Sequence, residues 1–267
     1  MLLFWGGGKV QYIGSRSNEK IKAVSFLKDR SEREEKQLFF FEGVHLFEEY
    51  VRFGHTPVSL FVTEEAAEKY ASLISPYDDV TYKVSKEVYA KLTAEQSPQG
   101  ILCVSAFLPN VKKGVPPVGG GIMLESVRDT GNLGGIIRTA ASLGVGRVTV
   151  SSDCADVYSS KTVRASMGAI FASDICVTDD LTSDVLALRA DGKRVFATSL
   201  YGETVFLGSF DIKKDDTFVF GNEGNGVTDG LAAACDKRVL IPMSGKTESL
   251  NVAAASAVVM WEMVRNG

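Results

Sequence analysis

This sequence predicts an α/β protein of two domains, on three observations. Short strand-like runs alternate with helical ones along most of the chain, and a proline- and glycine-rich stretch interrupts the alternation near its middle. Beyond that break the strand-like runs are more continuously apolar, the pattern of a parallel sheet covered on both faces. The domains run 1–108 and 121–267, with a linker at 109–120.

The elements follow in order. "NEKIKAVSFLKDR" carries apolar residues at helical spacing, with Asn18 placed to cap it. "LFFFEG" is a strand leading into the helical "VHLFEEYVRF". In the same way "VSLFVT" leads into "EEAAEKYASLI" and "VTYKV" into "SKEVYAKLT", and "GILCVSAF" closes a small α/β domain. "PNVKKGVPPVGGG" (Pro109 to Gly121) holds three of the seven prolines and four glycines, a density that breaks both helix and strand. The second domain then offers six short β-branched runs: "GIMLES", "GRVTVSS", "SDICVTD", "KRVFATS", "DTFVFG" and "KRVLIPM". Helical "NLGGIIRTAASLG" and "LTSDVLALRADG" fall between them.

Composition narrows the class. The 267 residues are 45% hydrophobic and 23% charged, as in a soluble globular protein, and the net charge of −4 gives no global sign of nucleic-acid binding. RNA would have to be met by a local basic patch. The opening "MLLFWGGGKV" is too short for a signal h-region and lacks a basic flank. The longest apolar run, Val252 to Trp261, is about half a membrane span, so a cytoplasmic protein is expected. Cys103, Cys154, Cys176 and Cys235 are scattered without metal-ligand spacing, and no metal is expected. His45 and His55 have no catalytic partner pattern and suit surface or packing roles.

Three stretches carry possible chemistry. "RDTGNLGGIIRTA" follows the first strand of the second domain, where α/β proteins place ligands. It is not the G-x-G-x-x-G dinucleotide fingerprint. Asn132 can cap the next helix, and Arg138 has small or polar helical neighbours that leave its head in solvent; alone, this also fits a glycine-rich cap with a surface arginine. "FVFGNEGNGV" runs a strand into three glycines around Asn222, Glu223 and Asn225, more glycine than a plain turn needs. In "VLIPMSGKTESLNVAAASAVVMWE" a buried strand gives way to a polar loop. A nearly uncharged helix follows, its first turn guarded by Ser249 and Asn251, as a cap or as a ligand site. Together the three put polar loops at the C-terminal ends of strands in one sheet, which defines a site.

In this order the three stretches resemble the signature motifs of the SpoU/TrmH family of RNA ribose 2′-O-methyltransferases, within the SPOUT superfamily. Asn132, Gly134 and Arg138 meet the family's N-x-G-x-x-x-R, "GNEGNG" and "IPMSGKTESLNVA" resemble its second and third motifs, and "KTVRASMGAIF" (Lys161 to Phe171) is similar too. The likeness covers most of 120–264. Thr130 departs from it, standing where many relatives carry proline. "FFFEGVHLFEE" and "SPQGILCV" more loosely resemble the ribosomal-protein-L30e-like substrate-binding domain that precedes many such catalytic domains; the first seventeen residues match no named pattern.

The resemblance implies a deep trefoil knot in which the last helix and the loop before it thread an earlier loop, an exception to ordinary chain topology. It implies S-adenosyl-L-methionine as cofactor, near Thr198, Gly221, Asn222, Gly224, Ile241, Met243 and Leu250. Asn132, Arg138, Glu223, Ser249 and Asn251 would line the reaction side, with Arg128 and Arg164 on an RNA-binding rim. A guanidinium with a pKa above about 12 is a poor base. Arg138 is therefore expected to grip a phosphate and the incipient oxyanion, with Glu223 or water taking the proton. A structured RNA is implied, with ribosomal RNA favoured and transfer RNA as the alternative, and a homodimer, to which the all-round apolar "VVMWEMV" would contribute. Two rival readings are a non-catalytic RNA-binding factor on the same fold and an unrelated doubly wound nucleotide enzyme. The intact polar set argues against the first, and the missing fingerprint against the second.

Overall fold

Side-chain caps fix where many of the helices begin. Asn18, Thr63, Ser85, Asp129, Ser159 and Asp180 each accept a hydrogen bond from a main-chain N–H two or three residues on, satisfying donors that the first helical turn leaves free. The computed structural model describes residues 11–266, so the apolar opening pentapeptide lies outside the described residues. The chain forms two units: Met1–Leu108 together with Tyr158–Phe171, and Pro109–Val157 together with Ala172–Gly267.

In the first unit the elements are β1 (Gln11–Ile13), α1 (Glu19–Phe26), α2 (Arg30–Lys36), β2 (Leu38–Glu42), α3 (Val44–Arg52), β3 (Ser59–Thr63), α4 (Glu64–Lys69), α5 (Ala71–Ile74), β4 (Thr81–Val84), α6 (Lys86–Leu92) and β5 (Ile101–Ala106). The strands lie in the order β1-β4-β3-β5-β2; β4 is parallel to β1 and β3, while β5 is antiparallel to β3 and β2. Strand alternation sends Phe40, Phe61 and Tyr82 into a core with Ile21, Val24, Val88 and Leu92. Phe39 and Phe41 face the other way.

The helix expected from Asn18 to Arg30 breaks at Leu27. The guanidinium of Arg33, itself buried, donates to the carbonyls of Leu27 (2.7 Å) and Lys28 (2.8 Å), satisfying the groups that the break releases. His55 has a packing role: its ring stacks on Tyr50 at 5.1 Å, whereas His45 is exposed.

The chain continues through β6 (Val111–Lys113), β7 (Ile122–Leu124), α7 (Thr130–Leu143), β8 (Val148–Ser151), α8 (Ser160–Ala165, in the first unit), β9 (Ile175–Thr178), α9 (Leu181–Ala190), β10 (Val195–Thr198), β11 (Thr204–Phe206), β12 (Thr217–Phe220), α10 (Asp229–Ala234), β13 (Lys237–Leu240) and α11 (Val252–Asn266). The second unit's strands are ordered β11-β13-β10-β12-β7-β8-β9-β6, and every pairing is parallel. Met123, Ala197 and Val219 pack against Val185, Leu188 and Leu231 of α9 and α10 on one face; Leu124, Phe218 and Phe220 are buried on the other. That double burial accounts for the continuous apolar runs.

Part of the expected linker is structured, since Val111–Lys113 pairs with β9. Just past it, a Cβ on Gly121 would sit 2.1 Å from the Arg147 carbonyl oxygen, so that glycine serves close strand approach rather than flexibility. The last helix, apolar all round in sequence, is sorted by the fold. Val259, Met260 and Met263 are buried, while Val258, Trp261 and Val264 form an exposed stripe.

Candidate active site

The three polar stretches leave neighbouring parts of one sheet: Glu125–Asp129 after β7, Gly221–Thr228 after β12, and Ile241–Asn251 after β13. Asn132 does not cap α7. Asp129 does, its carboxylate accepting from the Asn132 main-chain N–H at 2.7 Å, which leaves the Asn132 side chain free in the first turn.

That side chain joins all three stretches. Its Nδ2 donates to Glu223 Oε1 at 2.7 Å, and its Oδ1 accepts from Asn251 Nδ2 at 3.0 Å. Asn251 Oδ1 in turn accepts from the N–H groups of Ala253 (2.9 Å) and Ala254 (3.3 Å), capping α11. The chain has a fixed direction. A carboxylate only accepts and helix N–H groups only donate, so each asparagine amide between them has one permitted orientation. The α7 and α11 helices also pack closely, a Cβ on Gly135 lying 4.0 Å from that of Ala253.

A second set of bonds holds the glycine loop. Asn222 Nδ2 donates to the Ser126 carbonyl at 2.9 Å, and its Oδ1 accepts from Gly224 N–H at 2.9 Å. A Cβ on Gly221 would come within 2.0 Å of the Gly226 main chain, so the loop closes only around glycine there. Glu125 secures the far end, accepting from the N–H and the hydroxyl of Thr228 at 2.7 Å each. Ser126 sits at φ 53°, a costly conformation for a non-glycine residue. It is held by Ser151, whose hydroxyl accepts from its N–H at 2.9 Å, and by Asp153, which accepts from its hydroxyl. Hydrogen bonds from Ser126 and then Ser151 keep the Asp153 carboxyl below the usual carboxylate range. Burial pushes the neighbouring Cys154 thiol up; its sulfur accepts from Val127 N–H at 3.2 Å and acts as a packing group. Sequence reasoning missed Glu125, Ser126, Asp129, Ser151 and Asp153; the "ES" and "SSD" at the ends of β7 and β8 were the available signal.

The remaining candidates are placed as follows. Arg138 is exposed and makes no hydrogen bond or ion pair among the described residues; the same holds for Ser249. Thr198 ends β10, its hydroxyl donating to the Val219 carbonyl at 3.0 Å. Ile241 and Met243 are half-buried and Leu250 is exposed. Arg128 forms a loose ion pair with Asp153 at 3.7 Å. Arg164 belongs to the first unit, where it pairs with Glu95. Among the described residues no cluster of histidine, cysteine, aspartate or glutamate could hold a metal, and no helix is long and apolar enough to cross a membrane.

The stretch from Ile241 to Leu250 carries groups of the kind a nucleoside would use. Among the described residues its main chain from Ile241 to Leu250 forms no main-chain hydrogen bond, leaving donors and acceptors for a base edge beside apolar Ile241, Met243 and Leu250. S-adenosylmethionine combines an adenine with a cationic sulfur, and these groups suit it: unpaired main chain, apolar contact and a carboxylate.

An all-parallel sheet with polar, glycine-bearing loops at its strand ends, fastened through amides and a carboxylate, is the ligand-site arrangement of an α/β protein. The comparisons make the class specific. The SpoU rRNA methylase family model matches residues 121–261, and the MRM3-like substrate binding domain model matches residues 18–103. The chain belongs to the SpoU rRNA methylase family and is an RNA methyltransferase. It is 30% identical over 260 residues to the 23S rRNA (guanosine(2553)-2′-O)-methyltransferase RlmP of Bacillus subtilis, covering 95% of this chain and 99% of that protein. It is 34% identical over 150 residues to a 23S rRNA (uridine(2479)-2′-O)-methyltransferase of Streptomyces viridochromogenes, covering 54% of this chain and 52% of that one. The AdoMet-bound rRNA methyltransferase from Sinorhizobium meliloti superposes with a TM-score of 0.83 at 29% identity, covering 97% of this chain and 98% of that one.

Proposed function

We propose that the cluster of Asn132, Glu223 and Asn251 is the methyl-transfer centre, and that the hydrogen-bonded chain through these residues is what assembles it. The enzyme transfers a methyl group from S-adenosylmethionine to a ribose 2′-hydroxyl of ribosomal RNA. Bound S-adenosylmethionine supplies an electrophilic methyl on a cationic sulfur. Thr198, Gly221, Asn222, Gly224, Ile241, Met243 and Leu250 would hold it, through main-chain groups and apolar contact.

The chain's own residues have three tasks: alignment, proton removal and stabilisation of the developing alkoxide. Alignment alone can contribute roughly 7–11 kcal/mol. Glu223 Oε1 is occupied by Asn132, so Oε2 is the oxygen offered to the hydroxyl proton, directly or through water. Arg138, unpaired and exposed, suits an adjacent phosphate and the incipient oxyanion. Ser249 stands two residues before the Asn251 cap and would add a hydroxyl to the reaction side. Arg128 and Arg164 would meet RNA phosphates after exchanging their carboxylate partners.

The finer reading adds a trefoil knot around the last helix, an L30e-like first domain and work in the cytoplasm. It also adds a homodimer, supported by the exposed Val258, Trp261 and Val264 on α11; light scattering should return twice the chain mass. The activity itself is tested by incubating the protein with S-adenosylmethionine and 23S rRNA and mapping methylated riboses by their resistance to alkaline cleavage. Methylation confined to bases, by a folded protein that binds the cofactor, would refute the ribose assignment.

A further inference from the structure

Ser126 is a three-way junction inside the second unit. Its N–H donates to Ser151 Oγ at 2.9 Å, its hydroxyl donates to Asp153 Oδ2 at 2.5 Å, and its carbonyl accepts from Asn222 Nδ2 at 2.9 Å. Asp153 closes the ring on the far side, its other oxygen accepting from Ser151 Oγ at 2.6 Å. Its ion pair with Arg128 is looser, at 3.7 Å. Ser126, Ser151 and Arg128 are not among the residues assigned to the cofactor, so any effect of Asp153 on cofactor binding must pass through one of them.

The junction is held against a conformational cost. At φ 53° the Ser126 backbone lies in the left-handed region, which glycine enters freely and a residue with a Cβ does not. Rotation about its N–Cα bond to a negative φ would swing the carbonyl away from Asn222. That matters because Asn222 shapes the glycine loop: its Oδ1 accepts from the Gly224 N–H at 2.9 Å and its carbonyl accepts from the Gly226 N–H at 2.8 Å. Of the bonds that hold Ser126, the one to the Asp153 carboxylate is charge-assisted and so the stronger kind.

We infer that Asp153 is a positioning residue for cofactor binding: through the Ser126 hydroxyl it fixes the Ser126 carbonyl, and so Asn222 and the glycine loop, in the form that accepts S-adenosylmethionine. The inference rests on the reading in which Gly221, Asn222 and Gly224 hold the cofactor. Without the brace the loop spends only a fraction of its time in that form, and apparent affinity falls by the same fraction. Excess cofactor restores the form, so the loss lies in the KM for cofactor and not in turnover at saturation. A general contribution of Asp153 to stability would show neither this split nor any dependence on the residue at position 126.

The test is a double-mutant cycle on the full chain. Calorimetry reads affinity for S-adenosylmethionine, methyl transfer to 23S rRNA reads kcat and the KM for cofactor, and circular dichroism checks folding. Asp153→Ala should weaken affinity and raise KM about tenfold, with kcat at saturating cofactor within about threefold of wild type. Asp153→Asn keeps the shape without the charge; it should fall between the two and serves should the alanine variant fail to fold. Ser126→Ala removes the hydroxyl but keeps the Cβ, and should weaken affinity as much as Asp153→Ala. Ser126→Gly also removes the hydroxyl yet reaches φ 53° without steric cost, so it should lose less than Ser126→Ala. In the Ser126→Gly background, Asp153→Ala should cost less than about twofold. An equal Asp153→Ala loss in both backgrounds, or affinity within about twofold of wild type in Asp153→Ala alone, overturns the inference. Asn222→Ala separates it from the reading beneath. Affinity lost in Asn222→Ala but kept in Asp153→Ala removes the positioning role and leaves the cofactor site standing. Wild-type affinity in Asn222→Ala would take the glycine loop out of the cofactor site, and the inference with it.

Discussion

Removing the Asn132 carboxamide should lower activity in a graded order that the hydrogen-bonded chain dictates. Asn132→Ala deletes two links at once, the 2.7 Å bond to Glu223 and the 3.0 Å bond from Asn251. A hydrogen bond to a charged group is worth about 1.5–3 kcal/mol. If the bond to Glu223 is needed in the transition state, turnover falls roughly 10- to 150-fold. Asn132→Asp keeps an acceptor for Asn251 but turns a second carboxylate toward Glu223. Two like charges about 4 Å apart in a water-exposed setting repel by about 1 kcal/mol, a further roughly fivefold loss. Neither change disturbs the start of α7, because the Asp129 cap uses the main-chain N–H of residue 132. Single-turnover transfer of labelled methyl to an rRNA transcript measures the effect, and calorimetry checks cofactor affinity, expected to stay within about threefold. Turnover in Asn132→Ala within threefold of wild type, or in Asn132→Asp at or above that of the alanine variant, would refute the reasoning.

Other perturbations separate the parts of the site. Gly221→Ala forces a Cβ to within 2.0 Å of the Gly226 main chain, so cofactor binding should disappear from calorimetry while circular dichroism still reports a folded chain; wild-type affinity would contradict the tight-loop account. Arg138→Ala should keep cofactor affinity and lose about 100-fold or more in turnover, as expected for a group that meets only phosphate and developing charge; near-normal methylation removes Arg138 from the mechanism. Asp153 titrates below the ordinary range, so its stabilisation is complete above the unfolded value of about 3.9 and is lost as pH falls through the lower folded value. The melting-temperature gap between wild type and Asp153→Asn should therefore be level near neutrality and close below about pH 4; a gap that widens in acid would contradict the assignment.

What could be read from the sequence depended on the range of the interaction. The buried strands of the second unit were legible because a sheet covered on both faces leaves apolar runs in one dimension. The short β1, β6 and β11 were not, since they are mostly uncovered and their three residues carry neither a period nor a buried apolar run. Asn132, Glu223 and Asn251 were singled out as polar residues in glycine-rich or helix-opening contexts. Their hydrogen bonds span 91 and 119 residues, and no local pattern encodes those pairings. The role given to Asn132 as a cap failed for a simple reason: α7 begins at Thr130 with Asp129 as its cap, so Asn132 already lies inside the first turn and its own N–H is the one that is capped. Ser126 escaped notice because its strained φ and its three restraining hydrogen bonds exist only once β7, β8 and β12 are in one sheet.

The segment from Tyr158 to Phe171 shows a deeper limit of reading domains from a linear sequence. The methylase family model runs through it, and "KTVRASMGAIF" shares that family's pattern, yet it folds as part of the first unit. The reason is aromatic. Tyr158 stacks on Phe107 at 4.0 Å and meets Phe39 at 4.7 Å; Phe171 lies 5.0 Å from Phe41 and 5.2 Å from Tyr50. His55 Nε2 donates to the Phe171 carbonyl at 2.8 Å. Buried aromatics dominate a small core, and losing one costs about 3–5 kcal/mol, a large share of a domain's stability. A fragment ending at Leu108 would therefore open the Phe39–Phe41 side of its core, and one beginning at Gly121 would carry Tyr158 and Phe171 without their partners. The sequence break at 109–120 marks where the path of the chain changes. The boundary of the folded unit is set instead by where those aromatic rings find partners.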